Sequence, residues 1–383
     1  MKILLEGHRL AQTNNYGGID SYWHKLVPKL IQNHQTDAQF NLFTAFLNPK
    51  RLKELQRYQK LGCEIHHWWA TPELLKIAQW VGGSMKQYCG EHDILHIPEP
   101  SLMIRTKARI AVTAHDLMYV HYPQYLNPKW VDKLLYGTEY LAKRANFWIC
   151  NSAHTQKDLI RHYNVPPGRT KVVYMGVENN FFNVSKQEKE KKSVQKKYSI
   201  KQPYFIFLGS IEPKKNLDLL LRAYGRAIKE GVRANLIIGG RAGWQASSIK
   251  KIANDIPALK ERVDFIGFVD QKDLPCLMSA ARGLILPSRY EGFGMPILEA
   301  MAAKTPVICS DRGAMPEIAN GSSLLFDADD EQALANHILN LDANDDLYEE
   351  LQERGYQWAS NFTWEKTAEE TFAAYRKMLA LPQ

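Results

Sequence analysis

The sequence predicts an α/β protein of two doubly wound domains, each a parallel sheet covered by helices on both faces. Three observations carry this. Short apolar, β-branched runs alternate with longer amphipathic stretches along the whole chain. The length of 383 residues fits two domains of ordinary size. A charged stretch near the middle interrupts the alternation.

In the first half the strand-like runs are 2–7, 40–46, 62–67, 93–97, 108–114, 146–151 and 171–175, with helical stretches such as 18–33 and 129–144 between them. The opening run Lys2-Ile3-Leu4-Leu5 meets Glu6 at once, so it reads as a strand and is too short for a signal-peptide core. Residues 185–202 are dominated by Lys, Gln, Glu and Ser and have little to bury. The hinge is placed there, between a first domain 1–184 and a second domain 203–362. The second half gives strands at 203–209, 234–239, 263–267, 283–287 and 305–310. Helices are expected near 216–230, 246–255, 273–281, 295–303 and 331–341. Thr363 reads as the cap of a last helix within 363–383, with apolar positions at Ala368, Phe372, Ala373, Tyr375 and Leu379. It can pack on either domain and is expected to return to the first.

With 45% hydrophobic and 23% charged residues, the composition is that of a soluble globular protein. No segment approaches the ~18–20 uninterrupted apolar residues of a spanning helix, so a cytoplasmic protein is expected. Charge is uneven: residues 1–200 hold 28 Lys and Arg against 16 Asp and Glu, and residues 201–383 hold 21 against 25. Eleven of the twelve histidines lie in the first half. Such a basic half fits an anionic acceptor, nucleic acid, peripheral contact with the inner face of a membrane, or a solvated surface with no partner; charge alone leaves these open. Trp68-Trp69 and the run 74–81 with Trp80 add aromatics to it; a buried core helix is favoured there over a membrane-dipping one. The five cysteines are scattered and form no CxxC pair, so buried thiols are expected rather than disulfides or a zinc cage.

The richest segment is Gly283-Leu284-Ile285-Leu286-Pro287-Ser288-Arg289-Tyr290-Glu291-Gly292-Phe293-Gly294-Met295-Pro296. A buried strand is followed by a glycine-bearing loop and a helix start, with Pro296 near the first position. Free N–H groups and the positive helix end make this an anion receiver, suited to a diphosphate. Glu291 in the loop and Glu299 inside the helix can each accept hydrogen bonds from a diol. The alternative is a loop acid and a helix-dipole acid without ligand. In the first half, Gly17-Gly18 opens a helix, which is either an ordinary turn or a close approach to a phosphate. His115-Asp116 ends an apolar strand and belongs at a sheet crest. Asn151-Ser152 ends another and is a weaker candidate for an acceptor or cleft residue; His8 ends the first, with its role open.

The segment 283–296, with Phe265-Ile266-Gly267-Phe268-Val269, Glu299-Ala300-Met301-Ala302, Pro306-Val307-Ile308, Pro316-Glu317-Ile318 and Gly209-Ser210-Ile211-Glu212-Pro213-Lys214-Lys215-Asn216, resembles the retaining glycosyltransferases of family 4. The resemblance covers nearly the whole chain. It implies the GT-B fold, two Rossmann-like domains whose sheets face each other across a cleft, and transfer of a hexose from a nucleotide-sugar to a saccharide or lipid-linked saccharide in polysaccharide biosynthesis. On this resemblance Glu299 binds the ribose and Glu291 the transferred sugar. Amides of Phe293, Gly294 and Met295 hold phosphate and sugar oxygens, and Lys215 neutralises the leaving diphosphate. The base rests near Phe268-Val269, Gly17-Gly18 faces the diphosphate, and His115 binds the sugar and orients the reacting groups. Catalysis thus falls to His115, Lys215 and Glu291.

Many members carry an arginine directly after the glycine that ends the first strand of the second domain; here Ser210 stands in that place, with Lys214 the substitute cation. UDP-glucose is the preferred donor and GDP-mannose the next. No Asp-x-Asp lies in a strand-end loop, and Asp327-Ala328-Asp329-Asp330 reads as a helix cap, so neither metal nor cofactor is expected, nor a nucleic-acid partner. A binding protein without turnover, an epimerase or phosphorylase of the same fold, and a dehydrogenase are the rivals. The last would want G-x-G-x-x-G after the first strand, where only Gly17-Gly18 stands.

Overall fold

The structure, a computed structural model, describes residues 1–12, 17–71, 74, 85–100, 105–184 and 188–382. Asn14 to Tyr16, the 75–81 run with Trp80 and Ser185 to Gln187 lie outside the described residues. The chain divides into two units. The first is Met1–His121, Pro128–Gly176 and Trp364–Gln383; the second is Tyr122–Asn127 and Val177–Thr363.

In the first unit seven strands form one parallel sheet: β1 Lys2–Glu6, β2 Gln39–Ala45, β3 Glu64–Trp68, β4 Ile94–Ile97, β5 Arg109–Ala114, β6 Phe147–Cys150 and β7 Thr170–Val172. Their order is β3-β2-β1-β4-β5-β6-β7. β1, β4 and β6 are buried on both faces over nearly their whole length, which explains why they read as continuous apolar runs rather than as alternation. In the second unit six strands pair in parallel: β8 Tyr204–Leu208, β9 Asn235–Gly239, β10 Val263–Gly267, β11 Gly283–Leu286, β12 Val307–Ser310 and β13 Leu324–Phe326. Their order is β10-β9-β8-β11-β12-β13. Both sheets reverse direction of winding next to their first strand, between β1 and β4 and between β8 and β11. Ligands of such sheets sit beyond the strand ends at this switch.

The helix Trp364–Ala380 belongs to the first unit and packs on Gly18–His34, β5 and β6. Phe372 stacks on His34 at 3.8 Å, and Tyr375 Oη meets His96 Nδ1 at 2.6 Å in the core. The charged stretch 185–202 differs from the expected hinge. The chain passes between units at 121–122, 127–128, 176–177 and 363–364, and residues 188–197 form a helix of the second unit. That helix buries no residue. It is instead held by charge: Lys197 Nζ meets Asp270 and Asp273, each at 2.6 Å, and Tyr198 Oη donates to Asp273. A stretch poor in apolar residues is therefore not free, because carboxylates supply what burial does not. All five cysteines are buried thiols. Among the described residues no helix is long and apolar enough to cross a membrane.

Candidate functional site

The second unit gathers the acid and the cation of the sequence motifs beyond β8 and β11. After β8 the chain makes a tight turn at Pro213–Lys215, and Asn216 takes a left-handed conformation (φ 56°) before the helix Leu217–Lys229. Asparagine tolerates that region better than most residues. Its buried amide donates to Ala328 O at 2.8 Å, which fixes the turn and aims Lys215. After β11, Ser288 and Glu291 lead into Gly294 (φ 89°), the cap of the helix Met295–Ala302 with Pro296 in its first turn. The first amides of a helix have no intrahelical acceptor, and those of Gly294 and Met295 stand at this helix start.

Lys215 Nζ meets Glu291 Oε1 at 2.6 Å, and Ser288 Oγ donates to the same oxygen at 2.6 Å. Burial by itself would raise the Glu291 carboxyl. The charges of Lys215 and Lys214, with hydrogen bonds from Lys215 and Ser288, outweigh it and hold the group below the usual carboxylate range. Glu291 is thus a carboxylate at neutral pH, an acceptor rather than an acid. Ser210 Oγ donates to Glu212 Oε1 at 2.6 Å, and Lys214 Nζ lies 3.4 Å from that oxygen. The serine and the substitute cation therefore share one carboxylate. Glu299 lies half-buried within the helix.

Two further groups belong to this crest and were not singled out by sequence. Gly313 (φ 62°) presses on the Glu291 loop: a Cβ there would stand 2.4 Å from Glu291 O, which also accepts from Ala314 N at 2.8 Å. Arg241, beyond β9, stacks on the exposed Phe268 ring beyond β10 at 4.3 Å, with Val269 buried beside it. A Gly-Gly-Arg at a strand end carried a signal for Arg241; Gly313 lies 22 residues from Glu291 and carried none.

The first unit has its own constellation. Gly17 N donates to Asp20 Oδ2 at 3.2 Å at the start of the helix Gly18–His34. Asp20 in turn meets Arg9 at 2.5 Å, and the other guanidinium nitrogen of Arg9 pairs with Glu99, just beyond β4. His115, beyond β5, donates from Nε2 to Pro98 O at 2.8 Å, leaving Nδ1 as the acceptor of the neutral ring. Tyr22 packs edge-on against it at 4.8 Å. Burial is the largest influence on His115 and, with the charge of Arg9, pulls its pKa to about 4, against the Pro98 carbonyl, Asp116 and Glu99. His115 is therefore neutral at pH 7. Asp116 Oδ1 caps the short helix Met118–His121 by accepting from Met118 N.

Two other strand-end residues are structural here. Ser152 caps the helix Ala153–Tyr163 by accepting from Thr155 N, while its neighbour Asn151 is buried. His8 accepts from Ala45 N through Nε2, so Nδ1 carries the proton donated to Glu6 at 2.5 Å. Asp330 accepts from Ala333 N as the cap of Glu331–Ala343.

Comparison with known proteins bears on both units. A family model described as "Glycosyl transferases group 1" matches residues 187–358, and "Glycosyltransferase Family 4" matches 16–181. The chain is 32% identical over 273 residues to the O-antigen chain mannosyltransferase B of Escherichia coli, covering 70% of each chain. It is 28% identical to the O-antigen chain mannosyltransferase RfbU of Salmonella typhimurium, over 72% of this chain and 69% of that one. Among solved structures, Anabaena HepE in complex with UDP and glucose superposes with a TM-score of 0.73 at 18% identity, covering 98% of this chain and 99% of the other. Sucrose-phosphate synthase of Thermosynechococcus elongatus gives 0.74 at 19%, covering 99% of both. At such identities these two bear on the fold, which is GT-B.

Proposed function

The chain belongs to the group 1, family 4 glycosyltransferases, and from that premise we propose that it transfers mannose, with retention, from a nucleotide diphosphate sugar to a growing saccharide. The observation that carries this reading is the Lys215–Glu291 pair at 2.6 Å, seated at the switch between β8 and β11 beside the Gly294 helix start. A half-buried lysine paired with a carboxylate is poised to exchange partners. A donor diphosphate takes the lysine, and the carboxylate is released to accept hydrogen bonds from sugar hydroxyls.

The donor lies along the crest formed by the ends of β10, β9, β8 and β11. Neighbouring strands are about 4.8 Å apart, so the crest spans roughly 14 Å. The base rests against Phe268 and Val269, the ribose is held by Glu299, the diphosphate by Lys215 and the amides of Phe293, Gly294 and Met295, and the sugar by Glu291. Ser210 and Lys214 act through Glu212 at the middle of the crest. In the first unit Gly17 and Gly18 open a helix, and neutral His115 offers Nδ1 to a sugar hydroxyl. In the reaction the bond from the anomeric carbon to the phosphate oxygen breaks as the bond to the acceptor oxygen forms. The acceptor proton passes to the departing phosphate. Charge that develops on the diphosphate meets Lys215 and the helix start, and stabilisation of this kind is often the largest catalytic contribution.

Both mannosyltransferase relatives shift the donor preference from UDP-glucose to GDP-mannose. The saccharide acceptor is of the O-antigen kind, free or lipid-linked. The test is a panel of GDP-mannose, UDP-glucose and UDP-galactose against a mannose-terminated oligosaccharide on a lipid carrier, read by product mass and anomeric NMR. GDP-mannose should give an α-linked product. Transfer from UDP-glucose alone would overturn the donor assignment. Normal turnover in both Lys215→Ala and Glu291→Ala would overturn the site.

A further inference from the structure

The first unit carries a second cluster of chemistry that the transfer reaction leaves unused. Asp158 and His162 stand one turn apart on the helix Ala153–Tyr163, a spacing that puts both on one face. His121 ends the short helix Met118–His121 and brings Nε2 to 2.7 Å from Asp158 Oδ2. The His121 and His162 rings meet nearly at right angles, 4.9 Å between centroids. One ligand atom from each of the three residues lies within 4.8 Å of the others. His154, a turn earlier on the helix, adds a third imidazole with Nε2 3.3 Å from the same Asp158 oxygen.

We propose that His121, Asp158 and His162 bind a zinc-class divalent cation. A hydrogen bond between His121 and Asp158 would explain two of these residues, but not the convergence of His162 on the same point. Two imidazoles and one carboxylate are the donors that Zn²⁺ takes, whereas Mg²⁺ prefers oxygen alone. Bonds of about 2.0–2.2 Å to a tetrahedral ion set ligand atoms roughly 3.4 Å apart. Small re-aiming of the side chains closes the observed spread to that value. Three protein ligands leave a fourth position for water.

The place of this cluster gives it a task. Asp116 caps Met118–His121 from one side of His115, and Thr155 Oγ1, in the first turn of Ala153–Tyr163, donates to His115 O at 3.3 Å. A cation joining the ends of these two helices clamps the turn that presents His115. It is a positioning site, not a reacting one.

The experiment uses the full chain, stripped with a chelator and titrated separately with ZnCl2, CoCl2 and MgCl2. The parent should bind one equivalent of Zn²⁺ saturably with a rise in Tm, should show visible bands of four-coordinate Co²⁺, and should not respond to equal Mg²⁺. His162 is exposed, so His162→Ala should keep the circular dichroism of the parent and the His121–Asp158 contact. It should nevertheless weaken Zn²⁺ by about tenfold or more, the least expected of a lost ligand when even outer partners cost that much. His121→Asn should do the same. No saturable binding by the parent, or Zn²⁺ affinity and Co²⁺ bands unchanged in both variants, would overturn the proposal.

Discussion

Beyond β8 and β11, Lys215 meets the carboxylate of Glu291, and Lys214 lies beside that of Glu212. Beyond β1 and β4, at the equivalent switch of the first sheet, Arg9 is shared between two nearly buried acids, Asp20 and Glu99. The strand order at the two places is the same. The first arrangement can open by exchanging one partner for a ligand. The second resists this, since moving Arg9 takes the cation from two buried carboxylates at once. A shared topology thus supplies the switch twice, and whether its cation serves one acid or two decides which is adaptable and which is a brace.

This contrast can be broken at several points. The largest effect is expected at the brace. Arg9→Met should destabilise the first unit by about 3–5 kcal/mol, the scale for leaving buried charge uncompensated, and Glu99→Gln with Asp20→Asn in that background should restore much of it. Chemical denaturation measures both, and a loss under 1 kcal/mol would mean that the brace is not one.

Next comes the adaptable pair. Lys215→Ala or Glu291→Ala should each lower kcat/KM about a hundredfold, with the double variant little worse than either single one, as for groups acting as a unit. Strict additivity in steady-state kinetics would show that the two act separately.

Acid sharpens the comparison further. His96, buried against Tyr375 and Thr113, is drawn by burial, with help from the charge of His115, to a pKa of about 3, and His115 lies at about 4. Both fall below the free value of about 6.5. The unfolded chain therefore takes up more protons than the folded one between those limits, and stability present above pH 6.5 is lost as pH falls toward 4. The loss should be on the order of 2 kcal/mol by pH 4.5 for fully buried His96. Urea midpoints from pH 7 to 4.5 check it, and His96→Gln should flatten the slope.

The smallest effect belongs to Phe268→Ala. It should raise KM for the donor severalfold and leave kcat unchanged, as expected for uniform binding. A fall in kcat would place the ring nearer the chemistry than the base.

The sheets and the Glu291 loop were legible because their signals are local. A strand, a glycine and a helix start occupy fourteen consecutive residues, and apolar runs buried on both faces announce parallel strands. Arg9 with Glu99 was not legible, since 90 residues separate them and only the β1–β4 pairing joins their ends. His121 is separated from Asp158 in the same way, although Asp158 and His162 are spaced as a helix face. The stretch 185–202 reads as a hinge on apolar content, which measures burial and is blind to the contacts of Lys197 with Asp270 and Asp273. Gly313 was missed because its requirement is imposed by the backbone of Glu291, not by its own neighbours in sequence.

The return of Trp364–Ala380 to the first unit has a consequence for how the protein is made. The second unit needs only residues 122–127 and 177–363, so it can close as soon as Thr363 has left the ribosome. The first unit, most of it synthesised earlier, must wait with His34 and His96 uncovered until Phe372 and Tyr375 emerge. The half encoded second is thus the first to have all its residues.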